Sequence, residues 1–131
     1  MHAIDHLKKL STDRFALSTL SRHEFDKIHK ELLAMFPPNS PSHNQIAQSN
    51  TAKDWYLLGT DGCHLCHLSH DMLAKARTIS PDMPSIYDID IIDGDDMLVE
   101  VFGKIIPVLL TPCHLLCYPF GVMDIVMLAK N

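Results

Sequence analysis

Two cysteines spaced C-x-x-C, Cys63 and Cys66, carry the most chemistry in this chain. An apolar run from Trp55 to Leu58 precedes them, closed by the breakers Gly59, Thr60, Asp61 and Gly62, and a helical pattern begins where they stand. The spacing predicts a strand, a turn, and a helix with Cys63 at its mouth. At that place the first backbone N–H groups have no internal partner and the helix macrodipole adds partial positive charge, so thiolate is favoured over thiol. Thiols in such sites ionise at roughly 3.5 to 7.5, against about 8.5 for a free cysteine. The expected chemistry is thiol–disulfide exchange, with Cys63 as nucleophile and Cys66 as resolver. His64, inside the motif, would favour the thiolate when cationic, and Asp61 would oppose it by like charge.

The residues alone leave two other readings open: a pair of inert reduced thiols, or part of a zinc site. Cys63 with His67 and Cys66 with His70 are i,i+4 pairs, and Cys113-His114-x-x-Cys117 offers further soft ligands. Against zinc stand the long separation of the two cysteine pairs and the lack of knuckle glycines, so no metal is expected. Cys117 reads as a small buried hydrophobe in a strand, and Cys113 as an exposed turn thiol able to pair with Cys117 or to be glutathionylated. The acidic run from Asp88 to Asp96 fails as a calcium loop, because its first and third ligand positions would be Ile89 and Ile91.

The elements that must position this motif lie mostly in the second half of a chain of 131 residues with net charge −5. Residues 1–54 carry seven Lys/Arg and six Asp/Glu, and residues 55–131 carry four and ten. That acidic half argues against a nucleic-acid partner. No apolar run approaches the roughly 20 residues of a membrane span, and the start has no signal-peptide core, so a cytoplasmic, reducing setting is expected.

Residues 1–36 read as a helical extension. Ser21 and Glu24 match a capping box ahead of Phe25, Ile28, Leu32 and Met35, and Ser11 or Thr12 caps a shorter helix running to Leu20. Residues 37–52, rich in Pro, Ser, Asn and Gln, read as a linker, with a domain over 53–131. The extension is expected to dock on that domain, to meet a partner, or to stay partly disordered, since an isolated helix this short is marginal in water.

Within the domain, a helix from His64 to Thr78 is expected to bury Leu65, Leu68, Met72, Leu73 and Ala76 and to leave His64, His67 and His70 in solvent. A strand over Ser85 to Asp93, a helix over Met97 to Phe102, a strand over Ile105 to Leu110, a strand over His114 to Tyr118 and a helix over Gly121 to Lys130 complete it. Pro107 demands a special place, as a strand start, an edge or a cis bond. The first three strands are expected to be parallel neighbours and the last hairpin antiparallel.

The order β-α-β-α-β-β-α, with C-x-x-C at the first strand-to-helix junction and a proline opening the third strand, resembles the thioredoxin fold. Gly59-Thr60-x-x-Cys63-His64-Leu65-Cys66, Tyr87 to Asp95, Ile106-Pro107-Val108-Leu109-Leu110 and Tyr118-Pro119-Phe120 together resemble the small bacterial glutaredoxin-like family of that fold. The resemblance covers about residues 54–131. It implies a mixed four-stranded sheet flanked by helices, with Cys63 attacking and Cys66 resolving. It also implies a cis bond at Pro107 and, at Ile106, main-chain hydrogen bonds to a bound substrate chain. No tightly bound cofactor is implied, a protein disulfide or glutathione is the expected partner, and glutathione is a candidate reductant. His67 stands where the family usually has an acid, Tyr118 where Trp is common, and of the glutaredoxin glutathione turn only Gly121 and Asp124 remain. A thioredoxin-fold module that binds proteins without catalysis is the main rival reading.

Overall fold

The computed structural model describes residues 17–103 and 105–130, the side chain of Val101 excepted. In chain order the elements are β1 (Leu17–Thr19), α1 (Arg22–Ala34), α2 (Pro41–Gln48), β2 (Trp55–Gly59), α3 (His64–Ile79), β3 (Ile86–Asp90), a 3-10 turn (Ile91–Asp93), α4 (Asp96–Phe102), β4 (Val108–Leu110), β5 (His114–Cys117) and α5 (Val122–Ala129). The strands form one mixed sheet in the order β1-β5-β4-β2-β3.

β2 lies in the middle of this sheet and all five of its residues are buried. Successive side chains of a strand face opposite ways. Trp55 and Leu57 therefore join Leu73, Ala76, Ile125 and Val126 under α3 and α5. Tyr56 and Leu58 point to the other face and join Phe25, Ile28, Leu32, Ile46, Leu98 and Phe102. Helices cover both faces, and the cover of the second face comes largely from α1 and α2.

Three expectations change here. Residues 41–48, inside the expected linker, form a helix: Ser40 accepts the His43 N–H at 3.1 Å, Pro41 opens the first turn, and Ile46 is fully buried. The polar composition hid it because one isoleucine suffices to anchor a two-turn helix on an apolar sheet. The shorter helix expected to reach Leu20 is replaced, where it is described, by β1, which pairs antiparallel with β5 and makes the sheet five-stranded rather than four-stranded. The expected capping Ser11 and Thr12 lie outside the described residues. The helix after Ser21 does form, with the reciprocal cap in place: Glu24 N–H to Ser21 Oγ at 3.1 Å and Ser21 N–H to Glu24 Oε1 at 2.9 Å.

The third correction concerns direction. β3 is parallel to β2, but β4 is antiparallel to β2, with Leu58 opposite Val108 and Tyr56 opposite Leu110. α4 has only seven residues, a rise of about 10 Å. That does not carry the chain back along the sheet, so β4 starts at the end where β3 stopped. Pro107 accordingly sits just ahead of a strand, as a strand-opening proline should.

Candidate active site at the Cys63 turn

β2 runs out at Gly59, Cys63 N–H donates to the Thr60 carbonyl at 3.3 Å, and α3 begins one residue later. Cys63 is its N-cap, and its sulfur accepts the Cys66 N–H at 3.2 Å. A sulfur thus fills the place that a Ser or Asp oxygen usually takes, at the positive end of a helix of 16 residues. The two sulfurs are in disulfide contact with Cα atoms 5.2 Å apart. Cys63 is partly exposed, and Cys66 is 4% exposed behind it. One thiol is reachable and the other is sheltered.

Gly59 makes this pairing fit. A Cβ there would stand 2.9 Å from Cys66 Sγ and 3.3 Å from Cys66 Cβ. The sequence marks this glycine only as a strand breaker; its role in making room for Cys66 comes from α3 folding back over β2.

Beside Cys66 lies a cleft of about 110 Å³, lined among others by Gly59, Asp61, Cys66, His67, His70 and Asp88. Two imidazoles expected to be merely solvated have partners in it. His67 Nε2 donates to the Asp61 carbonyl at 2.8 Å and ties the turn to α3. His70 Nε2 lies 3.2 Å from Asp88 Oδ1. Burial pushes the Asp88 carboxyl above its usual range, and His70 works against that. His64 stays exposed on the first turn. The helix face also differs from expectation: Leu65 and Leu68 are exposed, while Cys66 and Ser69 turn inward. The stripe shifts because the short Cys66 and Ser69 fit close to β2, with Ser69 Oγ bonded to the Leu65 carbonyl at 2.9 Å.

Extending the β2–β4 register by one residue brings Pro107 alongside Gly59, so the proline and the cysteine turn share one end of the sheet. The Ile106–Pro107 bond is cis. The Pro107 carbonyl accepts the Tyr118 N–H at 3.1 Å. Ile106 N–H donates to the Phe102 carbonyl at 3.0 Å, so of the two main-chain groups expected to meet a substrate chain, this one is already engaged within the fold.

The other cysteines lie apart. Leu110 pairs with Tyr56 at the start of β2, so the 111–113 turn with Cys113 sits at the opposite end of the sheet from Cys63. Cys113 and Cys117 are separated along β5 by a distance of about 13 Å, beyond disulfide reach. The expected Cys113–Cys117 pairing is therefore excluded, and so is a zinc site drawing on both cysteine pairs. Cys117 is fully buried and burial pushes its thiol upward, as fits a core side chain. Among the described residues no three His, Cys, Asp or Glu side chains are placed to hold a metal ion. Nor is any described helix long and apolar enough to cross a membrane.

Compared with protein-family models, curated proteins and solved structures, the chain matches none of them.

Proposed function

We propose that this chain is a thiol–disulfide oxidoreductase of glutaredoxin or thioredoxin type, with a thioredoxin-like domain from β2 to α5 and a redox pair formed by Cys63 and Cys66. The observation that carries the proposal is the cap of α3, in which the partly exposed Cys63 sulfur receives the Cys66 N–H at 3.2 Å while Cys66 sits behind it in disulfide contact. A negative sulfur is the form such a cap stabilises most. The order β-α-β-α-β-β-α over that span and the place of Pro107 beside the turn agree with the reading.

In this mechanism the Cys63 thiolate attacks one sulfur of a substrate disulfide, forms a mixed disulfide and expels the other sulfur as thiolate. Cys66 then loses its proton, attacks Cys63 Sγ and expels the second substrate thiolate. The substrate gains two electrons, and the Cys63–Cys66 pair is left oxidised. A dithiol or glutathione returns it to the reduced form in the reducing compartment where we place the chain.

Trapping tests this. In Cys66→Ser the mixed disulfide on Cys63 has no internal resolver, so discrete adducts should accumulate on a non-reducing gel and vanish in the Cys63→Ser, Cys66→Ser double variant. If no adduct forms and Cys63 titrates near 8.5, the proposal fails and a protein-binding module becomes the better reading.

A further inference from the structure

β2 and β5 are each antiparallel to β4, so they run the same way, and α3 and α5 both start at the sheet end that holds Gly59 and Pro107. Helix N-termini are natural seats for carboxylates. Here each already carries a group of this chain that a carboxylate would have to meet. Cys63 Sγ takes the Cys66 N–H at the start of α3, and the Asp124 carboxylate takes the Gly121 N–H at 2.7 Å at the start of α5.

The cleft against Cys66 adds Asp61, Asp88 and Asp90. The two cationic side chains of α3 stand away from the cleft. Lys75 is nine residues past Cys66 on α3, a distance of about 13 Å along the helix. The guanidinium of Arg77 is bound to the Met83 and Pro84 carbonyls, each at 2.7 Å. Lys104 lies outside the described residues. His67 and His70 line the same cleft, bonded to the Asp61 carbonyl and the Asp88 carboxylate.

We propose that the Cys63–Cys66 site, resting on its reading as an exchange centre, selects disulfides borne on positively charged groups, in the cell a basic polypeptide segment, and discriminates against anionic disulfides such as oxidised glutathione. The attacking group is itself an anion. A dianionic disulfide approaching it meets the Asp61, Asp88 and Asp90 carboxylates beside Cys66 and the Asp124 carboxylate at the start of α5. A cationic disulfide meets the same charges as attraction. The exchange keeps the atom and electron balance given above; only the group carried on the sulfurs differs.

The test is to oxidise the reduced full chain with three small disulfides: cystamine, which is dicationic, bis(2-hydroxyethyl) disulfide, which is neutral, and oxidised glutathione, which is dianionic. Each rate is divided by that of the same disulfide with dithiothreitol, to remove intrinsic reactivity. The expected order is cystamine, then the neutral disulfide, then glutathione. The normalised cystamine-to-glutathione ratio should be roughly tenfold or more at low ionic strength and collapse at 1 M salt, where the Debye length is about 3 Å. The double variant Asp61→Asn, Asp88→Asn should narrow that ratio at low salt. A ratio near one, a ratio favouring glutathione, or a ratio indifferent to salt overturns the charge selection while leaving the exchange chemistry standing. Failure of all three disulfides to oxidise the pair overturns the exchange reading itself.

Discussion

At Gly59 a single hydrogen in place of a methyl group lets α3 lie against β2 with Cys66 sheltered. Gly59→Ala would put a carbon 2.9 Å from Cys66 Sγ. We expect the resolving step to slow by roughly tenfold to a hundredfold as the sulfur is displaced from Cys63, read as persistence of a mixed disulfide in quench-flow samples. Gly62→Ala is the control, since a Cβ there meets nothing within 4 Å. The Cys63 cap carries a second prediction. In the reduced protein Cys63 should titrate below the ordinary thiol value of about 8.5, measured by thiolate absorbance in Cys66→Ser. The buried Cys117 should show the opposite displacement. The C-x-x-C, the cap position and the exposed His64 were legible in the sequence. The partners of His67 and His70 were not, because the Asp61 carbonyl and Asp88 reach them only through the return of the turn and the β2–β3 pairing.

Among the elements, α1 and α2 make the sharpest case. Ile46 is fully buried with Phe25 and Tyr56 in the cluster on one face of the sheet. Ile46→Ala should therefore cost about 2 to 5 kcal/mol in chemical denaturation, the price of a core truncation, whereas a true linker residue would change almost nothing. Ser21→Ala should cost about 1 kcal/mol through loss of the α1 cap. Arg22 adds a tie between α1 and the 49–54 loop, with Nη1 donating to the Thr51 carbonyl at 2.7 Å. The capping box could be read in advance because it is local, three residues across. The docking of α2 could not, since the apolar surface that makes a weak two-turn helix stable belongs to strands far along the chain.

For the molecule as a whole, the packing of α1 on the sheet is expected to weaken in acid through His29. His29 is half-buried, its ring centroid 5.8 Å from that of Tyr56 and 6.0 Å from that of Phe25. Burial lowers its pKa, against the opposing pull of the Ile46 backbone and Asp26, while Arg22 adds a small lowering. The unfolded chain then binds a proton more readily than the folded one, so this residue's contribution to stability is complete above the ordinary imidazole value of 6.5 and is lost as pH falls from there through the lowered native value. Urea midpoints measured from pH 8 to pH 5 should decline, and the decline should be shallower in His29→Gln; an identical slope would remove His29 as its source. Spacing, composition and backbone chemistry within a few residues were enough to read the strand-turn-helix that holds Cys63 and Cys66, the α1 cap and the second half's acidity, while leaving Pro107 a choice of strand start, edge or cis bond. That β1 joins the sheet, that β4 runs against β2, that α2 is core and that Cys113 lies at the far end from Cys63 could be seen only in the folded chain, since those outcomes depend on which distant apolar surfaces meet.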